Sequence, residues 1–239
     1  MKVNNLVKGI MAVSLLIFTA SCEEENESLQ GGNSGNNTQT TDTHEAVDLG
    51  LSVKWATCNV GASRPEDYGG YYAWGETEEK DTYTWENYKY WTDKNENGIV
   101  DNFSEITSIP GNICSTKYDV AHVKWGGDWR MPTPDEFKEL IEKCTWEIGA
   151  EGFSIIGPNG NKIFLPYSGE KRGNLLSGIQ QEGAYRTGTL DFDYDFEYAD
   201  GYTKILWIRE YYFYDEPMYH MDNNYDIYIG LSVRPVMDF

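Results

Sequence analysis

The chain has 239 residues, 40% hydrophobic and 15% aromatic, enough for one sizeable core and one domain. Its 39 acids outnumber 19 Lys and Arg, giving a formal net charge of −20. Nucleic acid and anionic membrane surfaces would repel such a molecule, so neither is expected as a partner.

Lys2 and Lys8 precede and enter an apolar run, Ile10 to Ala20, that is too short to span a bilayer and ends in Thr19-Ala20-Ser21 before Cys22. This predicts a signal peptide over 1–21 and lipidation of Cys22, so that the membrane is met through a lipid anchor only. An ordinary secretory signal cut before a cysteine is the alternative. Removing 1–21 takes away two lysines and no acid, moving the charge from −20 to −22. Residues 22–44 begin with Glu23-Glu24-Glu25-Asn26-Glu27 and continue in Gly, Asn, Ser, Thr and Gln, with almost nothing to bury. They are expected to form an acidic, polar tether, with the folded domain over 45–239. Cys58, Cys114 and Cys144 allow one bridge at most, Cys58 with Cys144 being the favoured pairing and buried free thiols the alternative.

Val47 to Val60 alternates Leu51, Val53 and Trp55 with Ser52, Lys54 and Ala56, the pattern of a half-buried strand. Tyr71-Tyr72-Ala73-Trp74 and then Tyr83, Trp85, Tyr88, Tyr90 and Trp91 predict a loop-rich layer packed by rings. Asp93, Asn95, Asn97 and Asp101 place oxygen ligands at alternate positions with Gly98 sixth, as in the first part of a calcium-binding EF-hand loop. Ser104 stands twelfth, where a bidentate glutamate belongs, so the choice is between a structural calcium and a metal-free polar turn. No other cofactor is expected.

Thr133-Pro134-Asp135-Glu136 is a capping box with proline at the first helical position. Phe137, Leu140, Ile141 and Cys144 follow at helical spacing, and Trp125 to Trp129 read as a packed loop ahead of the helix. Phe153–Ile156 and Lys162–Pro166 flank Pro158-Asn159-Gly160-Asn161, a hairpin signal. Lys204–Arg209 and Ile227–Val236 are strand-like. Strands before and after one good helix predict an α+β fold.

Between Glu210 and Ile229 the chain reads YYFYDEPMYHMDNNYDIY. Tyrosine gives contact area at low entropy cost, and Asp, Asn and His give adaptable hydrogen bonds. Tyr211, Tyr212, Tyr214, Asp215, Tyr219, His220, Asp222, Asn223, Asn224 and Tyr225 are therefore candidate ligand-binding residues on a loop. The opposing reading lays these tyrosines flat on a sheet as core.

The segments VDLGLSVKWATCNVGA, YYAWGE, DVAHVKWGGDWRMPTPDEF, CTW, GPNGNKIFLP and GLSVRPV together resemble the Fibrobacter succinogenes major paralogous domain, common in surface lipoproteins of Bacteroidota. The resemblance runs from about Val47 to Val236. It implies a C-type-lectin-like fold of the formylglycine-generating-enzyme variant, loop-rich, with N- and C-terminal strands paired. The acidic cluster after Cys22 is similar to the export signal that carries such lipoproteins to the outer face of the outer membrane. The enzymatic relatives use cysteines near the C-terminus or a histidine set. Here no cysteine follows Cys144, and the histidines are only His44, His122 and His220. Glu216-Pro217-Met218 offers part of the calcium-lectin motif and no more. The resemblance thus implies a non-catalytic, adhesion-type domain for a glycan or protein ligand. Two alternatives are a structural or tip subunit of a surface fibre, and a carbohydrate-active enzyme. For the enzyme, Asp191, Asp193 and Asp195 would supply acid and base from one strand face, about 7 Å apart.

Overall fold

Thr133 ends an extended stretch and caps helix α2 (Pro134–Lys143) in the computed structural model, which describes residues 44–91, 109–190, 202–209 and 218–239. The Thr133 hydroxyl accepts the Glu136 N–H at 3.4 Å while the Glu136 carboxylate accepts the Thr133 N–H at 2.8 Å, the reciprocal box the sequence predicts. Phe137 and Leu140 are fully buried, each contributing about 1.5–3 kcal/mol of burial. They face Trp55, Phe153, Leu206 and Ile208 in the largest core cluster. Arg130 binds Glu136 through two nitrogens, at 2.6 and 3.0 Å, and Asp238 at 2.7 Å. The cap is thereby tied to the C-terminus.

The loop expected from Trp125 is preceded by a helix that the sequence reading missed, α1 (Val120–Trp125), capped by Asp119. Its six residues carry too few apolar positions to show a period.

The strand predicted over Val47–Val60 is instead a hairpin of β1 (Ala46–Asp48) and β2 (Lys54–Ala56), with Ala46 opposite Ala56. Gly50, at φ +77°, turns the chain, and its N–H is held by Asp48 Oδ1 at 2.7 Å. The alternation is real, since Leu51, Val53 and Trp55 are buried, but it continues through a turn. The closing strand β11 (Val236–Met237) pairs with β2, inside the stretch expected as the N-terminal strand, so the N- and C-terminal strands do pair, in the order β1-β2-β11.

β3 (Thr145–Gly149), β4 (Gly152–Ile156) and β5 (Lys162–Pro166) form an antiparallel sheet. The β4–β5 hairpin is as expected, with Gly160 at φ +86° in the turn and Ile155 opposite Ile163. The third sheet contains β6 (Ser168–Arg172), β7 (Leu175–Ile179), β8 (Glu182–Leu190), β9 (Tyr202–Arg209) and β10 (Met218–Asp226). Its order is β10-β9-β8-β6-β7, which completes a mostly-β α+β architecture.

Ile227–Val236 is not the predicted strand. Its members make single bridges to different partners, Gly230 to Lys171, Leu231 to Tyr72 and Ser232 to Tyr185. Both sides are buried, so the alternating polar residues are inside too. Arg234 is fully buried and donates to Asn59 Oδ1, Ala56 O and Thr57 O at 2.8, 3.1 and 2.9 Å. A segment gripped from several sides cannot run as one ladder.

The ring-packed layer is present. Tyr71, Tyr72, Trp74, Tyr83 and Tyr88 are buried together, and the Tyr71 and Tyr88 hydroxyls find backbone acceptors, Ser168 O at 2.6 Å and Trp74 O at 2.8 Å. The Cys58–Cys144 bridge does not form; Cys58, Cys114 and Cys144 are free thiols. They lie in different surroundings, Cys144 against the α2 core and Cys114 beside the Met131 carbonyl at 3.5 Å.

Candidate functional site

The third sheet has two faces of different character, and pairing register assigns every side chain to one of them. Tyr185, Leu206 and Met221 are neighbours across β8, β9 and β10, as are Gly183, Ile208 and Tyr219. These point to the α2 side, where Tyr219 stacks on Trp146 at 4.4 Å and meets Phe153 edge-on. On the opposite, outer face lie Ala184, Trp207 and His220 in one row and Arg186, Ile205 and Asp222 in the next.

Ala184 and Ile205 of this face form a small buried cluster with Ile229 and Leu231, whose segment covers that part of the face, and half-buried Trp207, Tyr225 and Tyr228 pack around it. His220 meets the Trp207 ring edge-on at 5.2 Å, and the Arg209 guanidinium lies 5.7 Å from it. Between Asp222 and Tyr225 the register slips: Asp222 opposes Ile205 and Tyr225 opposes Thr203, three residues of β10 against two of β9. This bulge returns Tyr225 to the outer face, the one that carries Trp207.

The face continues toward β6. Trp85, in a single 3-10 turn, packs on Tyr228 with centroids 4.7 Å apart, and Trp91 lies 6.1 Å from Trp85. Arg172 donates to Asp226 Oδ2 and to the Tyr228 hydroxyl, each at 3.1 Å, and its Nε lies 3.4 Å from Glu170 Oε1. Burial raises both the Glu170 and Asp226 carboxyls above their usual range, with Arg172 pulling each back. Under this cluster Arg186 is fully buried and donates to Thr203 Oγ1 at 2.7 Å, Ile229 O at 2.7 Å and Asp226 O at 3.2 Å. Burial lowers its guanidinium to about 10, opposed by Tyr88, Asp226 and Glu170, so it stays charged at neutral pH.

Half-exposed rings beside donors and acceptors, backed by a packed core, can accept a ligand with both apolar and hydroxyl-bearing surface. Other grooves offer less. Those along α2 and beside Lys80 are lined by charges already paired, Glu139 with Lys143 at 2.7 Å and Glu76 with Lys80 at 2.8 Å.

The sequence expectation placed ten residues on one binding loop. The segment is instead a strand from Met218 onward, because its tyrosines pair with apolar β9. His220, Asp222 and Tyr225 come together on the outer face, whereas Tyr219 belongs to the core face. Asn223 and Asn224 fall at the bulge. Tyr211, Tyr212, Tyr214 and Asp215 lie outside the described residues, as do Cys22, the candidate calcium ligands Asp93, Asn95, Asn97 and Asp101, and the acids Asp191, Asp193 and Asp195. Among the described residues, no group of three or more His, Cys, Asp or Glu is placed to hold a metal, and no helix is long and apolar enough to cross a membrane. Trp207, Tyr228, Trp85, Arg172 and Glu170 were not anticipated as site residues. Trp207 was the findable one, since it follows Ile205 by two residues in a strand whose Leu206 and Ile208 already supply an inner face.

No family model, curated protein or solved structure matches this chain.

Proposed function

We propose that this chain is a surface-tethered, non-catalytic recognition domain that binds a glycan or protein through the outer face of its third sheet. The observation that carries the reading is that half-buried Trp207, His220, Asp222 and Tyr225 share one sheet face, beside a buried apolar cluster on that face and with Arg209 next to Trp207. Amphipathic rings with adaptable polar neighbours are the composition of recognition surfaces. The resemblance to the Fibrobacter succinogenes major paralogous domain, with its C-type-lectin-like fold, agrees with the α+β architecture and with β11 returning to pair near the N-terminal hairpin. On this reading Cys22 carries lipid, residues 22–44 form the tether, and the domain stands at the outer face of the outer membrane. The −20 charge keeps it off nucleic acid.

A second reading, a structural subunit of a surface fibre, has its own support. β7 is an edge strand without a charged residue, and its Leu175, Leu176 and Ile179 are 69%, 42% and 38% exposed. Uncharged apolar edges invite strand addition.

Glycan and protein arrays probed with the fragment 45–239 separate these readings. Recognition predicts that one ligand class binds and that Trp207→Ala abolishes binding at a temperature where the variant, though less stable, is still folded. A fixed stoichiometric partner that survives Trp207→Ala and is lost on Leu175→Glu would favour the fibre reading. Polysaccharide hydrolysis lost on Asp193→Asn would replace both with an enzyme.

A further inference from the structure

The β6 end of the outer face combines an aromatic wall with a charge-balanced polar cluster. Trp85 and Tyr228 are half-buried, with ring planes tilted 52° and centroids 4.7 Å apart. Beside them Arg172, 48% exposed, joins Glu170 and Asp226, and Arg186 lies beneath. Two guanidinia face two carboxylates, so the cluster has no net formal charge. An anionic or cationic ligand would have to break a pair to gain one, and the −20 background adds repulsion for anions.

Its hydrogen-bonding capacity is, however, incompletely used. Arg186 Nε, on a fully buried side chain, is a donor with no partner, and Glu170 Oε2 is a buried acceptor with none. The two residues are near enough for the Arg186 charge to act on Glu170. Unmet donors and acceptors in one buried cluster are rare and costly. Both atoms are closed off from the surface, so a ligand meets the exposed members. Arg172 bonds its neighbours through Nε and Nη1, and a hydroxyl, which donates and accepts at once, suits its further N–H donors and the adjoining Asp226 carboxylate.

We propose that this end of the site takes an uncharged pyranose unit of a neutral glycan, with Trp85 and Tyr228 against its C–H face and the Glu170–Arg172–Asp226 cluster on its hydroxyls. The proposal rests on the recognition reading above and narrows its ligand class. The test is binding of the full-length protein to immobilised neutral polysaccharides (starch, mannan, xylan and galactan), to hyaluronan and heparin, and to a protein array.

One neutral polysaccharide is expected to bind, with a half-saturating concentration that shifts less than about twofold between ~50 and ~500 mM NaCl, because no ligand ion pair is screened. Arg172→Ala is expected to weaken it by about tenfold or more, the loss of roughly one charge-assisted hydrogen bond. Because Arg172 also pairs with the partly buried Glu170 and Asp226, that variant is expected to melt somewhat lower, and its binding is read at a temperature where circular dichroism shows it folded. Tyr228→Phe, which removes only a hydroxyl, is expected to weaken binding in the same direction by less.

Binding to hyaluronan or heparin alone, falling steeply with salt, would overturn the proposal. So would binding only to a protein, or to none of the neutral polysaccharides. In the first two cases sensitivity to Trp207→Ala would leave the recognition reading standing; indifference to both Trp207→Ala and Arg172→Ala would remove that reading as well.

Discussion

Asp119 is the residue whose loss the fold should tolerate least. Its side chain is wholly buried, yet both carboxylate oxygens are fully used. Oδ1 accepts the Ala121 and His122 N–H groups at 2.9 and 3.1 Å and so caps α1. Oδ2 accepts the Ser115 and Met131 N–H groups, both at 2.9 Å. One carboxylate thus joins α1, the loop before it and the strand-like run into α2. Asp119→Asn keeps the shape but turns one oxygen into an NH2 group. Whichever way the amide lies, two backbone N–H groups then face a donor. Each buried unsatisfied group costs about 1–3 kcal/mol, which gives roughly 2–6 kcal/mol for the pair. That is a large share of the roughly 5–15 kcal/mol total expected of a domain. Urea unfolding of wild type and variant, followed by tryptophan fluorescence, measures it as a shift in midpoint at constant slope. Asp119→Ala should cost at least as much, since all four donors lose their acceptor. A loss below about 0.5 kcal/mol for Asp119→Asn would refute the reasoning, because the carboxylate would then not be the element joining these segments.

Thr133→Ala removes half of the α2 capping box and should cost about 1 kcal/mol in the same urea assay, with Thr133→Ser close to wild type. Glu170 and Asp226 are raised by burial in the folded state relative to the unfolded chain. Their contribution to stability is fully present below the unfolded carboxylate range and is lost as pH rises through the higher folded values. The melting temperature should therefore climb as pH falls toward the ordinary carboxylate range, and Glu170→Gln should flatten that rise; a decline there that Glu170→Gln leaves unchanged would contradict it. Burial also pushes the Cys114 and Cys144 thiols up to about 12 and about 11. Both should resist iodoacetamide at pH 8 in the folded protein, and unfolding without reductant should release three titratable thiols from the fragment 45–239. Fewer than three would mean that a bridge exists.

The parts of this fold that local sequence announces are those whose stabilising partners are also local. Thr133 and Glu136 complete their box within four residues, and Asn159-Gly160 closes a hairpin whose strands are its immediate neighbours. Where partners are distant the pattern misleads. Leu51, Val53 and Trp55 alternate as a strand should, but a left-handed Gly50 had already reversed the chain. Nothing near Arg186 or Arg234 in sequence announces that their guanidinia are buried. Five of their six hydrogen bonds go to main chain or Asn59 at 40 or more residues' separation, the sixth being that of Arg186 to Thr203 Oγ1. The candidate site shares this difficulty: Trp85, Arg172 and Tyr228 converge from three separated stretches, and only Tyr225, His220 and Asp222 could be grouped by eye.

The stretch YHMDNNYD shows how narrowly the outer face is specified. Tyr219 and Tyr225 are six residues apart, so an unbroken period of two would put both on the same side of the sheet. Tyr219 is held inward by Trp146 and Phe153, and Tyr225 would then have been driven into the core face after it. The extra residue between Asp222 and Tyr225 changes the parity of the strand. It leaves His220, Asp222 and Tyr225 on the face that carries Trp207, and it also presents the Asp226 and Tyr225 carbonyls to Arg186 and Thr203. One backbone irregularity therefore serves two ends, supplying acceptors to a buried guanidinium and turning a core-facing tyrosine pattern into a ligand-facing one. Bulges recur where a side chain must be re-aimed, and here the residues it re-aims are those with the chemistry to touch a ligand.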